Sequence, residues 1–286
     1  MLLYLFSYLR IFRKKLLLKF ISPDKFHIGY SFEWSKTGLT KFIYISNPTN
    51  GYYADPFVIF VNSEYFIFCE FYDYELKKGR IDVFKLDSQE TAIHLGTCID
   101  EKFHLSFPFI FQVENELFIV PESKSQNEII LYKCTKWPLR WERFVVLIPN
   151  IQAVDNLIFY HEKQWWILST KSITGDLNCQ SELYLYYSTD LFSSNWTPHK
   201  NNPIIVNSYF GRNAGLYFDG EFLFRCSQAH KKGLYGSEVN FHKILKINNN
   251  DYIEVLVPEM CIPNCHTFDS KFGLTVIDKR LRIKKT

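Results

Sequence analysis

The chain has 286 residues, 47% hydrophobic and 18% aromatic, enough to bury one large all-β unit or two ordinary domains. Its net charge of +3 comes from 33 basic and 30 acidic residues that are largely interspersed, which excludes an electrostatic nucleic-acid binder. Seven widely spaced cysteines, an odd number, exclude a disulfide framework and fit a reducing compartment.

The first twenty residues, "MLLYLFSYLRIFRKKLLLKF", form the one membrane-like segment. Arg10 and the Arg13-Lys14-Lys15 run break it well short of the about 20 apolar residues a bilayer span needs. The charges follow the apolar run, the reverse of a secretory signal. On a helix, Leu2, Phe6, Leu9, Phe12, Leu16 and Phe20 share one face while Arg10, Lys14 and Lys15 lie elsewhere. The pattern predicts a short amphipathic helix within residues 1–24. It either contacts an anionic membrane surface through residues 1–20 or packs on the protein body. The first option makes the protein cytoplasmic and peripheral on the inner face of the membrane.

Beyond residue 25 the chain reads as short strands separated by turn residues. "ADPFVIF…NSEYFIFCE" is matched by "SFPFIFQVENELFIVPE", "VDNLIFYHEKQWWILST", "RNAGLYFDGEFLFRCSQ" and the shorter "CHTFDSKFGLTVID". Each is an apolar strand, a tight polar turn and a second apolar strand. The equivalent positions Asp55, Phe107, Asp155, Asn213 and His266 recur at intervals of 52, 48, 58 and 53 residues. A third strand ("RIDVFKL", "IILYKC", "ELYLYYS", "VNFHKILKI") and a more polar fourth follow in four repeats. Four-stranded units of roughly 40–50 residues predict an all-β, five-bladed β-propeller over residues 25–286. "KFHIGYSFEW" and "KFIYISN" are expected to complete the last blade and close the ring. A two-sheet sandwich does not account for the matching intervals.

Within a hairpin, the start of the first strand and the end of the second lie at one rim. The starts are Asp55, Phe107, Asp155, Asn213 and His266; the ends are Glu70, Glu122, Thr170, Gln228 and Asp278. The first four pairs are each 15 residues apart. A turn-capping role explains one such aspartate, but not a ring of unlike polar residues. With Arg212, they predict a concave site whose carboxylates and amides suit sugar hydroxyls. Asp55 is the candidate base, with Asp155 or Glu122 orienting it. Glu70, Arg212, Asn213, Gln228, His266 and Phe107 are candidate substrate-binding residues. Replacing Asp55 by Asn is expected to abolish chemistry with little effect on the melt. Cys261, Cys265 and His266 lack further ligands at suitable spacing, so no metal is expected. No Gly-rich phosphate loop is evident, and no cofactor is expected.

"YADPFVIF", "CEFYDY", "GRIDVF", "LSFPFIF", "VPES", "WPLRWE", "AVDNLIF" and "GRNAG" resemble the propeller-like N-terminal domain of plant glucosamine inositolphosphorylceramide transferases and its bacterial relatives, over roughly 42–268. More distantly, the arrangement is similar to arabinanase, β-xylosidase and levansucrase glycosidases. The resemblance implies a role in glycan or glycolipid assembly, with a glycan or lipid-linked sugar as ligand and a partner glycosyltransferase. Those glycosidases place aspartates that map to Asp55 and Asp155, and take an acid glutamate from the fourth blade. Here that blade offers Arg212, Asn213 and Gln228, which cannot supply the proton. Three functions stay open: glycosyl transfer or support of it, a non-catalytic carbohydrate-binding module, and a glycosidase.

Overall fold

The structure, a computed structural model, describes residues 25–36, 40–171, 181–231 and 234–281. The helix expected within residues 1–24 lies outside them. No helix among the described residues is long and apolar enough to cross a membrane. The architecture is all-β and propeller-like.

Strand β1 (Lys25–Ser31) and the short β2 (Ile43–Tyr44) come first. Strands β3 (Gly51–Val61), β4 (Glu64–Asp73), β5 (Lys78–Leu86) and β6 (Ala92–Ile99) form an antiparallel sheet in that order. Strands β7 (Ser106–Val113), β8 (Glu116–Glu122), β9 (Glu128–Lys136) and β10 (Arg140–Pro149) form a second. A third contains β11 (Val154–His161), β12 (Gln164–Lys171) and β13 (Glu182–Ser188), with β14 (Thr197–Pro198) and β15 (Ile205–Val206) both pairing β13. The last sheet joins β16 (Arg212–Phe218), β17 (Leu223–Lys231), β18 (Leu234–Ile247) and β19 (Tyr252–Pro263) to β20 (Cys265–Lys271) and β21 (Leu274–Leu281). In it β1 pairs antiparallel with β21, and β2 with β1.

The first strands neighbour one another in turn: β3 beside β7, β7 beside β11, β11 beside β16, β16 beside β20, and β20 beside β3. A backbone bridge joins one of these pairs, at Tyr217 and Ser270. Side chains therefore do most of the joining between sheets. The Phe57 ring meets Phe107 and Phe109 edge-on, at 4.8 and 5.5 Å. Each fully buried ring of this kind contributes about 1.5–3 kcal/mol.

Local chemistry sets the strand ends. The β3–β4 loop is Asn62-Ser63, both at positive φ (51° and 64°), as a two-residue hairpin turn requires. The third sheet departs from the expected continuous fourth strand. Pro198 and Pro203 lack donors, so "TPHKNNPIIV" splits into β14 and β15. The Asn202 amide fills the gap, accepting from Leu185 N–H at 2.8 Å and donating to Leu185 C=O at 2.7 Å.

The sequence repeat reappears as a repeated irregularity. Ala54 pairs Glu70, Ser106 pairs Glu122 and Val154 pairs Thr170; the next pairs are Phe57–Phe68, Phe109–Val120 and Leu157–Leu168. Two residues on the first strand thus oppose one on the second, a β-bulge at the same place in three sheets. Register slips also follow Asn213 and Cys265 in the remaining two hairpins. Asp55, Phe107 and Asp155 take the first bulge position at φ 50°, 46° and 50°. Aspartate visits this left-handed region readily. A phenylalanine there is uncommon and is held by its surroundings.

Candidate functional site

The bulges and the ends of the second strands meet around a cavity of about 190 Å³. Asp55, Glu70, Glu122, Arg212 and His266 line it, with Tyr52, Tyr72, His104, Ser106, Ala54 and Phe26.

Its centre is a buried Asp–His–Asp group. His266 Nε2 lies 3.0 Å from Asp55 Oδ1, and Nδ1 lies 2.9 Å from Asp278 Oδ2. Burial favours a neutral ring, but the Asp278 and Asp55 carboxylates outweigh it and push His266 up to about 10. Burial likewise opposes ionisation of Asp55, but His266 prevails and holds that carboxyl below its usual value. The remaining lone pairs are taken too. Asp55 accepts the Thr267 hydroxyl at 2.7 Å and the Phe107 N–H at 3.2 Å. Asp278 accepts the N–H groups of Asp55 (3.1 Å), His266 (3.1 Å) and Thr267 (2.8 Å). The three groups have the spacing to grip a cation, with ligand atoms within 4.8 Å of one another. The imidazolium already supplies positive charge between the two carboxylates, and it would have to lose its proton before ligating a metal.

These bonds tie the first, second and last sheets together, which changes one expectation. Asp55→Asn removes charge from a buried, multiply bonded carboxylate. It is expected to destabilise the protein by about 1.5–3 kcal/mol, measured by urea denaturation. A change below about 0.5 kcal/mol would restore the view of Asp55 as a purely chemical residue.

A second ion pair stands across the mouth. Arg212 donates from Nε to Asp155 Oδ2 at 2.6 Å and from Nη2 to Oδ1 at 3.4 Å. Gln228 donates to Asn213 C=O at 2.8 Å and to Asp155 Oδ2 at 3.4 Å. Asn213 donates to Asp155 C=O at 2.9 Å and Leu168 C=O at 3.1 Å. Behind them Arg225, fully buried and bound to both Glu254 oxygens at 2.6 and 2.8 Å, reaches Asn213 Oδ1 at 3.4 Å.

Three residues expected to bind substrate lie outside the cavity lining. Asn213 and Gln228 are fully buried and bonded to Asp155 and its neighbours, not turned to the cavity. Phe107 is fully buried on Phe57, because its ring faces the core while only its N–H serves the site. Asp155, expected among the catalytic groups, is buried and does not line the cavity; it holds Arg212, which does.

Glu70 and Glu122 do reach the cavity. Burial, then the charges of Asp55 and Glu122, hold Glu70 well above the usual carboxyl range. Glu122, half-buried at the same rim, is pushed up to about 8 by burial and Asp155, with Arg212 opposing. The cavity thus sets one carboxyl held below its usual range, Asp55, beside two raised above it, of which Glu122 at about 8 is largely protonated at neutral pH.

His104 was missed from the sequence. Its Nδ1 accepts the Gly79 N–H at 2.8 Å, so the neutral ring carries its proton on Nε2, 3.6 Å from Glu70 Oε1. Burial keeps its pKa below that of an ordinary histidine. The signal was available: three residues before Asp55, Phe107 and Asp155 stand Tyr52, His104 and Gln152, a further set in the same register.

Residues 40–270 match the family described as glucosamine inositolphosphorylceramide transferase 1, N-terminal. The chain belongs to this family. The residues on which the resemblance rests fall inside that range. The chain is 34% identical over 222 residues to glucosamine inositolphosphorylceramide transferase 1 of Oryza sativa subsp. japonica, covering 74% of this chain and 29% of the relative. For the Arabidopsis thaliana protein of that name the figures are 32% over 216 residues, 74% and 28%. The chain thus spans under a third of the curated relatives' length. Among solved structures, a family 117 glycoside hydrolase from Zobellia galactanivorans is similar at TM-score 0.57 and 11% identity, covering 92% of this chain and 93% of that one. An exo-β-1,3-galactanase from Phanerochaete chrysosporium is similar at TM-score 0.57 and 12% identity, covering 73% and 49%. At such identities the likeness is one of fold.

Proposed function

We propose that residues 25–286 form a five-bladed propeller, closed by its N-terminal strands, whose mouth binds a sugar in glycolipid or surface-glycan assembly. The observation that carries this reading is the cavity itself. It sets Glu70, Glu122 and the Asp55–His266 pair around a small polar space, in a chain 34% identical to transferases named for glucosamine and inositolphosphorylceramide. At about 190 Å³ the space is below the roughly 300–1,000 Å³ of drug-sized clefts and suits a single ring. Carboxylates and carboxyls can receive hydroxyls or the ammonium of an amino sugar. Tyr52 and Tyr72, stacked at 5.4 Å, offer an apolar face for the ring.

If the site performs transfer, Glu122 is the group matched to it. A pKa of about 8 lets it give or take a proton near neutrality. Asp55, expected as the base, is tied by Thr267, Phe107 and His266 and acts instead as a fixed negative charge. Arg212, oriented by Asp155, is placed to meet a developing negative charge. A non-catalytic binding module is the second reading, favoured by the engagement of both aspartates in ion pairs. The N-terminal segment would hold the protein at the cytoplasmic membrane face, beside a partner glycosyltransferase.

The test is ligand-observed NMR with glucosamine and glucose on the full chain, paired with transfer and reducing-sugar assays. Sugar binding with transfer supports the enzyme; binding without turnover supports the module; reducing-sugar release supports a glycosidase. No sugar binding at millimolar concentration ends the sugar reading. Tyr72→Ala should weaken glucosamine binding about 2–10-fold, the worth of one stacking face.

A further inference from the structure

The two ends of the molecule differ in charge. Hairpin geometry puts the turns that join first to second strands, and third to fourth strands, at the end far from the cavity. Exposed acidic residues recur in those turns: Glu90, Glu114, Glu162, Asp190 and Glu221. The cavity end is built differently. Ile28 pairs Asp278 and Lys25 pairs Leu281, so β1 starts and β21 stops at the mouth. Phe26 lines the cavity with its ring 4.1 Å from His266, and the Arg280 guanidinium sits 5.1 Å from the Phe26 ring. The sequence flanking this strand pair is basic, with Arg13-Lys14-Lys15 before β1 and Arg282, Lys284 and Lys285 after β21.

The neighbouring rim adds an apolar edge. Strand β1 packs beside β3 of the first sheet, whose aromatic face runs outward from the cavity. Tyr74 lies 6.0 Å from Tyr52 and 6.4 Å from Tyr72, and is itself exposed. The Asp73 carboxylate accepts the N–H groups of Glu75 and Leu76 at 2.9 and 3.0 Å. It thereby holds the turn that presents Leu76, 62% exposed, and Lys77 to solvent. Tyrosine, leucine and lysine together on one exposed turn are side chains that a membrane interface accepts.

We propose that the mouth face is the docking face for an anionic lipid surface, so that the cavity opens toward the bilayer. The inference deepens the membrane placement proposed above by naming the face that meets the lipid. Charge decides between the two candidate occupants, a lipid surface and residues 1–24 folded over the mouth. A basic segment laid on a basic rim is repelled by it. Both are attracted to the same anionic headgroups, by about fivefold in affinity for each lysine or arginine near the surface. That surface repels the acidic far end, which fixes the orientation.

Cosedimentation of the full chain with vesicles of phosphatidylcholine, alone and with phosphatidylserine, tests this. Binding should require the anionic lipid and fall as salt rises. Lys77 and Lys163 form a matched pair: both are exposed, both hold left-handed backbone (φ 51° and 64°), and they stand at opposite ends. Lys77→Glu should weaken binding about fivefold or more, and Leu76→Asp should weaken it too, whereas Lys163→Glu should leave it unchanged. Equal losses in Lys77→Glu and Lys163→Glu, or no loss in both Lys77→Glu and Leu76→Asp, overturn the docking face and leave the terminal segment as the anchor. No binding to anionic vesicles overturns both; a rise in glucosamine affinity in Leu9→Glu would then place the terminal segment over the mouth. Glucosamine binding measured without lipid reports on the pocket alone. Its absence alongside Lys77-dependent vesicle binding would sink the sugar reading and leave the docking face standing.

Discussion

Asp278→Ala is expected to lower stability by about 3–5 kcal/mol, the range for removing one partner of a buried ion pair. The substitution leaves three buried N–H groups, those of Asp55, His266 and Thr267, without their carboxylate. It also halves the charge that holds the His266 imidazolium. At about 2–4 °C per kcal/mol for a large domain, the melting temperature should fall by roughly 6–20 °C. The pH dependence provides a second readout. His266 has a folded pKa raised to about 10, so its stabilisation is full below its unfolded value of about 6.5 and is lost as pH rises through about 10. Glu122, raised to about 8, adds a loss in the same direction as pH climbs from its ordinary range. Wild type should therefore weaken steadily on the alkaline side, and Asp278→Ala should weaken less steeply because His266 no longer has its strongest partner. A melt within about 1 kcal/mol of wild type would mean that the Asp–His–Asp group does not join the sheets.

The second large effect concerns Glu122. If it transfers a proton, Glu122→Gln should reduce turnover about 10²–10⁴-fold, the usual worth of a positioned acid or base, while the melt stays within about 1 kcal/mol or rises. The sign of the stability term follows from its raised pKa: between about pH 4.5 and 8 the folded carboxyl stays protonated while the unfolded chain ionises, a cost that a neutral amide does not carry. Activity that depends on the protonated carboxyl should decline as pH rises through about 8, and the variant should lack that limb. A pH–rate profile on both proteins decides the point. An unchanged limb in Glu122→Gln would assign it to another group, with Glu70 next in line because burial and its neighbours raise its pKa too.

Much of the site was legible because strand geometry is periodic. Side chains alternate with a period of two, so a spacing held across hairpins places equivalent residues at equivalent points of each sheet. That reasoning brought Asp55, Glu70, Glu122, Arg212 and His266 to one cavity. It would also have brought His104, had the register been followed three residues upstream. Where the structure departs from it, the cause is the chemistry of the side chain at an equivalent position. Phe107 and Asp55 share a bulge position and nearly the same φ, yet the phenylalanine ring sits in the core while the aspartate faces His266. Hydrophobicity decides that difference locally, but the sequence repeat treats the two positions as equals.

What the sequence by itself determined was the order and spacing of strands, the polar rim and the family, because these depend on local pattern and on motifs that stay together in the chain. The tertiary structure alone decided which polar residues meet. Asp55 and Asp278 lie 223 positions apart, and only the packing of the last sheet against the first brings both to His266. It also decided protonation. Burial raises Glu70 and Glu122, while a neighbouring imidazolium lowers Asp55, so carboxyls of the same kind in sequence acquire opposite states. A carboxyl's charge is set by the solvent it loses and the partners it gains, and both are properties of the folded arrangement.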